Sequence, residues 1–223
     1  MNRYRVSALG AIVLALSAGA AALTAAQPGD NKAEPGDMPA MTPDMAAMMK
    51  LFEDAGKPGV QHELLKQFAG TFDAKVSMWM PGVEAPSVST GTMVNTLNHG
   101  GRYLHHEYKG EFDGADFTGS GDWGFNNTAK RWEGTWMDSM STAVSFNTGT
   151  LDGKRGEWTM KGEWDHPLGY RARQRDVIRM AGPDAHSMTS YTTDKDGIEQ
   201  KVMEIAYTRR PDAAAGKSAS GTR

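Results

Sequence analysis

Between Phe72 and Arg209 polar and apolar residues alternate with a period of two, in runs of eight to twelve residues broken by Gly, Asn and Asp. Nothing else in the sequence limits the fold as much. Period two sends successive side chains to opposite faces of a strand. The stretch therefore predicts about ten strands, at 72–80, 88–98, 101–112, 117–126, 131–139, 143–151, 156–166, 170–180, 187–194 and 198–209. The connections carry His99-Gly100, Asn126-Asn127, Asp152-Gly153 and Asp196-Gly197, residues able to supply the positive φ of a right-twisted hairpin. Neighbours in sequence should then pair antiparallel. An open meander of this length would expose two edges, and closing the sheet removes both. The expected fold is all-β: an antiparallel up-and-down β-barrel of about ten strands over 71–210, preceded by a short helical segment.

Alternation also sorts the faces. Phe117, Gly119, Gly121, Trp123 and Phe125 share one side of their strand; Trp132, Gly134, Trp136 and Asp138 share another; Trp158, Met160, Gly162 and Trp164 a third. Glycine lets a wall bend tightly, and the ring at the next inward position occupies the space. Such a lining either fills the barrel solidly or leaves a pocket for a small apolar molecule, and the sequence leaves both open.

The rest of the chain sets the context. Residues 1–26 read as a secretory signal peptide, with basic Arg3 and Arg5, an apolar stretch centred on Ala11 to Leu16, and small residues up to a cut after Ala26. The expectation is a periplasmic or secreted protein with no stable membrane anchor after signal removal. Residues 27–41, with Pro28, Pro35 and Pro39, read as a disordered linker, and 211–223 as a disordered tail. Thr42, Pro43 and Asp44 start a helix. The segment 42–70 is expected to form a helical lid, since Met45, Met48, Met49 and Phe52 make one apolar stripe.

Among its 223 residues the chain has no cysteine, which excludes disulfides, thiolate catalysis and cysteine-ligated metals. A formal charge of -3 offers no basic field for nucleic acid. No nucleophile elbow, phosphate loop or dinucleotide fingerprint appears, so catalysis has no positive support.

The candidate ligand-binding residues are Trp123, Trp132, Trp136, Trp158 and Trp164, with Tyr108, Asp138, Arg102 and His106 as polar anchors. Asp138 reads either as an environment-shifted carboxylate or as a turn cap beside Ser139 and Ser141. His106 shares a face with Leu104 and Tyr108, whereas His105 points the other way with Glu107. Arg171, Arg173, Arg175 and Arg179 form a stripe expected to face outward and pair with Glu157, Glu163 or Glu199. Met38, Met41, Met45, Met48 and Met49 offer thioethers of the kind that hold cuprous copper, although helical packing explains three of them without metal.

Several blocks resemble a bacterial family of exported proteins, domain of unknown function 1579. They are His62 to Leu65 leading to Phe68-Ala69-Gly70-Thr71-Phe72-Asp73, then Ser89 to Thr92, Gly100 to Leu104, Gly134 to Thr142 and Lys201 to Arg209. Phe72 stands where that family usually has Trp. The resemblance implies a calycin-like barrel, similar to lipocalins and fatty-acid-binding proteins, and carries no catalytic residue with it. A haem barrel resembling nitrobindin would need one axial histidine, for which His106 is the candidate. The resulting expectation is an exported protein that binds a small apolar or amphipathic molecule without resident cofactor. The alternatives are a hydrolase or isomerase working through Asp138 and His106, or a solid-cored envelope interaction module.

Overall fold

The computed structural model describes residues 42–80 and 82–211. The signal, the linker and nearly all of the C-terminal tail lie outside them, with Met38 and Met41. Helix α1 (Pro43–Gly56) is followed by α2 (Val60–Glu63) and a 3₁₀ turn (Leu64–Phe68). Ten strands then run without interruption: β1 (Gly70–Met78), β2 (Ser87–Asn98), β3 (Tyr103–Phe112), β4 (Ala115–Asn126), β5 (Arg131–Asp138), β6 (Ser145–Asp152), β7 (Glu157–Asp165), β8 (Arg171–Gly182), β9 (Ala185–Thr193) and β10 (Glu199–Arg209). Each strand pairs with its neighbours in sequence, and β1 pairs antiparallel with β10 from Phe72 opposite Arg209 to Met78 opposite Met203. The barrel is closed, as the period-two pattern requires.

Two of the expected turns use other chemistry. At His99, Gly100 and Gly197 φ is positive, but after β4 and β6 the left-handed residues are Lys130 and Gly156. There Asn126 and Asp152 act through their carbonyl and carboxylate oxygens, which accept the N–H groups of Thr128 and Ala129, and of Lys154 and Arg155. A tighter hairpin at Asp113-Gly114, φ 50 and 77°, joins β3 to β4. Asp-Gly is itself a two-residue hairpin signal.

One end of the barrel is plugged. Leu65 and Phe68 of the 3₁₀ turn are buried with Leu104, Trp123, Trp132, Trp158 and Met160 in one apolar cluster. The Phe68 ring meets Trp123, Trp158 and His186 edge-on at 5.1, 5.3 and 5.1 Å. Burying a large apolar side chain contributes about 1.5–3 kcal/mol, so this cluster is a main anchor of the fold. Arg209, at the end of β10, locks the plug to the wall. Its guanidinium lies 4.5 Å over the Phe72 ring and donates to the carbonyls of Gln67 and Ala69. Gly70, at φ 120°, has the guanidinium where a side chain would start. That close approach explains the glycine.

Helix α1 buries none of its side chains. Met48, Met49 and Phe52 stand exposed, so the expected packing of that stripe onto the barrel mouth is not seen. The C-terminal end of the helix is instead held by polar bonds: Asn127 Nδ2 donates to the Ala55 and Lys57 carbonyls and Arg102 Nε to that of Gly56.

On the outer wall three of the four arginines of the stripe, Arg171, Arg175 and Arg179, pair with carboxylates as expected. Arg175 makes two bonds to Glu199, at 2.8 and 2.6 Å, Arg179 one to Glu157 at 2.6 Å, and Arg171 reaches Glu163 and Asp165.

A candidate ligand cavity inside the barrel

Above the plug the barrel is hollow. A cavity of about 500 Å³ runs from Phe68 toward the opposite end, where Met78, Phe112, Asp138, Met140 and Met203 form the rim. Its size lies within the range that holds small ligands. The space exists because inward rings lie flat against inward glycines. A Cβ on Gly119 would collide with the Trp136 indole, and one on Gly91 or Gly110 with the Tyr108 ring. The Trp136 ring thus lies over β4 and the Tyr108 ring over β2 and its own strand, which leaves the centre free.

Of the nine residues read from the sequence, five line this cavity: Trp123, Trp136, Tyr108, His106 and Asp138. Trp132 and Trp158, 1% and 2% exposed, are instead packed into the plugged end. Trp164, half-buried near the end of β7, is outside the lining, with its ring 5.0 Å from His166. Arg102 is at the plugged end, bonded to the carbonyls of Gly56 and His99. Trp123 and Trp158 stack edge-on at 5.7 Å, and their indole N–H groups have no hydrogen-bond partner among the described residues.

His106 is set by Asn95. The Asn95 amide donates to the Phe68 carbonyl at 2.8 Å, so its oxygen faces His106 Nδ1, 2.8 Å away, and accepts from it. That arrangement puts the proton on Nδ1 and leaves Nε2 as a bare acceptor. Burial lowers the pKa of His106 to about 4, so the ring is neutral at ordinary pH. His186 behaves similarly. It is buried and stacked 4.4 Å from Tyr207, and burial lowers its pKa to about 4 as well. Its Nδ1 has no partner among the described residues. His105, on the outer face, pairs with Asp122 at 3.0 Å.

Asp138 takes the turn-cap role and adds a bond to the aromatic wall. One oxygen caps the backbone N–H of Met140 at 2.9 Å, and the other accepts the Trp136 indole N–H at 3.2 Å. It thereby fixes the ring at the rim. Among the described residues no three His, Asp or Glu side chains gather as a metal site.

Part of the lining escaped sequence reasoning. Asn95, Asp176, His186, Tyr207 and a set of methionines, Met93, Met188 and Met203 among them, face the cavity. Their strands lack the aromatic-glycine signature that drew attention to β4, β5 and β7. The parity of the register would have found them: once Phe72 is inward, so are Tyr207 and Met203 on the paired strand.

A family model described as "Protein of unknown function (DUF1579)" matches residues 57–209. Among curated proteins none matches the sequence. Among solved structures, Rv2717c from M. tuberculosis is similar with a TM-score of 0.52 at 11% identity, over 70% of this chain and 100% of its own. The S-type phycobiliprotein lyase CPES from Guillardia theta aligns at 14% identity over 71% of this chain and 97% of its own, with a TM-score of 0.49. At such identity the likeness to Rv2717c is one of fold alone.

Proposed function

From the premise that the chain belongs to the DUF1579 family, whose description assigns no activity, we propose that it is an exported, non-catalytic carrier. Its cargo is a small apolar or amphipathic molecule held inside the calycin-like barrel. The observation that carries this reading is the cavity of about 500 Å³ bounded by the plug at one end and a methionine-rich rim at the other. A barrel serving only as a structural module gains nothing from an empty centre, because filling it would add dispersion and burial. Thioether and aromatic walls adapt to apolar ligands of varied shape, while His106 Nε2 offers one fixed acceptor to a polar end. The export half of the proposal rests on residues 1–26 of the sequence.

The test is direct. Protein purified from its native envelope should carry a small molecule in native mass spectrometry. A neutral apolar dye, N-phenyl-1-naphthylamine, should bind with about one-to-one stoichiometry and quench the indole emission of Trp123 and Trp136. N-terminal sequencing of the same material should begin at Gln27. A dye that fails to bind, or binds without touching indole emission, rules the cavity out as the site.

A further inference from the structure

The cavity wall carries an unbalanced charge. Asp176, on β8, lines it at mid-depth and is 6% exposed. Three hydrogen bonds reach its two oxygens: Ser190 Oγ donates to one at 2.6 Å, and Gln174 Nε2 lies 3.0 and 2.9 Å from the pair. Donors on both oxygens are what an ionised carboxylate needs, and a neutral acid would have to give up one of them. Burial outweighs the bonds from Ser190 and Gln174 and leaves the Asp176 pKa above the ordinary carboxylate value, so a cation beside it would also be what favours its charged form.

A buried carboxylate ordinarily has a cationic partner. Among the described residues no lysine or arginine lines this cavity. Arg175, next in sequence, is on the outer wall with Glu199, and the guanidinium of Arg209 is taken up by the carbonyls of Gln67 and Ala69. The two histidines inside are neutral. The other carboxylates on the lining, Glu111 and Asp138 near the rim, are acidic as well, and burial keeps the phenols of Tyr108 and Tyr207 protonated. The interior is therefore apolar in surface and negative in field, and the π faces of Tyr108, Trp123 and Trp136 attract cations in addition.

Resting on the carrier reading above, we propose that the cavity selects amphiphiles whose polar end is a cation, an amine or quaternary ammonium, with Asp176 as the counter-charge supplied by the wall. A carboxylate amphiphile of the same length meets no cation and two kinds of repulsion, from Asp176 inside and from Glu111 and Asp138 at the entrance.

Three probes matched in chain length decide the matter: decyltrimethylammonium, decanol and decanoate. Each competes with N-phenyl-1-naphthylamine below its micelle concentration. The cation should displace the dye at a concentration at least about tenfold lower than decanoate, the scale of one charge pair in a partly desolvated site. Decanol should fall between them. Asp176→Asn should shrink the advantage of the cation over decanoate to about threefold or less while leaving decanol unchanged. Decanoate binding as well as the cation overturns the proposal, as does an Asp176→Asn protein that keeps the full preference. The wild-type ranking needs no variant, so it decides even if Asp176→Asn fails to fold. Binding of dye and decanol without charge preference removes only this inference; if no probe and no dye binds, the carrier reading falls with it.

Discussion

Two inward glycines on adjacent strands should respond oppositely to the same methyl group. At Gly119 an added Cβ lies 2.8 Å from Trp136 Cη2 and 3.0 Å from Cε2, with Cζ2 closer still. Carbon atoms pack comfortably only at about 3.5–4 Å, so the ring must move by about 1 Å. Its Nε1 is already 3.2 Å from Asp138, and such a shift breaks that bond. Overpacking costs about 1–3 kcal/mol and the lost bond about 1 kcal/mol. Reduced freedom of the unfolded chain returns about 0.4–1 kcal/mol. Gly119→Ala should therefore destabilise by about 1–3.6 kcal/mol and, by driving the indole into the cavity, weaken dye binding. At Gly134 the nearest atoms to an added Cβ are 3.5 Å away, an ordinary contact. Gly134→Ala should be neutral or stabilising by up to about 1 kcal/mol. Urea unfolding followed by indole emission, with near-ultraviolet circular dichroism for the Trp136 environment, measures both. Equal effects from the two substitutions, or an unchanged aromatic spectrum in Gly119→Ala, would refute the placement of the ring.

Three further outcomes follow from the buried polar groups. Asn95→Leu leaves the Phe68 carbonyl and His106 Nδ1 without their partner and should cost about 2–4 kcal/mol; nitrogen NMR of His106 should show the Nδ1–H tautomer lost, and an unchanged spectrum contradicts the assignment. His106 and His186 have folded pKa values near 4 against 6.5 in the open chain, so below 6.5 the unfolded state binds more protons. Stability should fall as pH drops from 6.5 toward 4, by up to about 1.4 kcal/mol per pH unit for each ring. His186→Phe, which keeps the stacking on Tyr207, should flatten the slope in urea midpoints, and an unaltered slope counts against the burial of His186. Arg209→Met frees the plug carbonyls and should cost about 2–4 kcal/mol, with hydrogen exchange rising first in residues 64–70 if the plug is a separate opening unit.

The strand ladder was legible because its signal is local and repeated: ten alternating runs, each ending within a few residues of where the structure ends it. Turn chemistry was half legible. Asn126 and Asp152 mark their turns correctly but work by accepting N–H groups, a role that composition alone does not separate from positive φ. Within the site, tryptophan prominence misled. Facing inward is fixed by parity, but facing the cavity rather than the plug depends on how far along the barrel a residue sits. That is decided by Phe68 and Leu65, which come from a different part of the chain. Trp132 and Trp158 were thus assigned the right face at the wrong depth. Asp176 is masked in the sequence because it follows Arg175 within the arginine stripe, where one more charge reads as part of the outer surface. The apolar stripe of α1 obeyed helical periodicity without obtaining a partner among the described contacts.

A vessel stoppered at the bottom has, among the described residues, a single doorway. Whatever enters between Met78, Asp138 and Met203 must leave by the same route, reversing its path, and the part that went in first comes out last. On the proposed carrier reading, any donor and any recipient of the cargo would visit the same circle of loops, in turn and never together, so handover becomes a matter of successive docking rather than of passage through the wall.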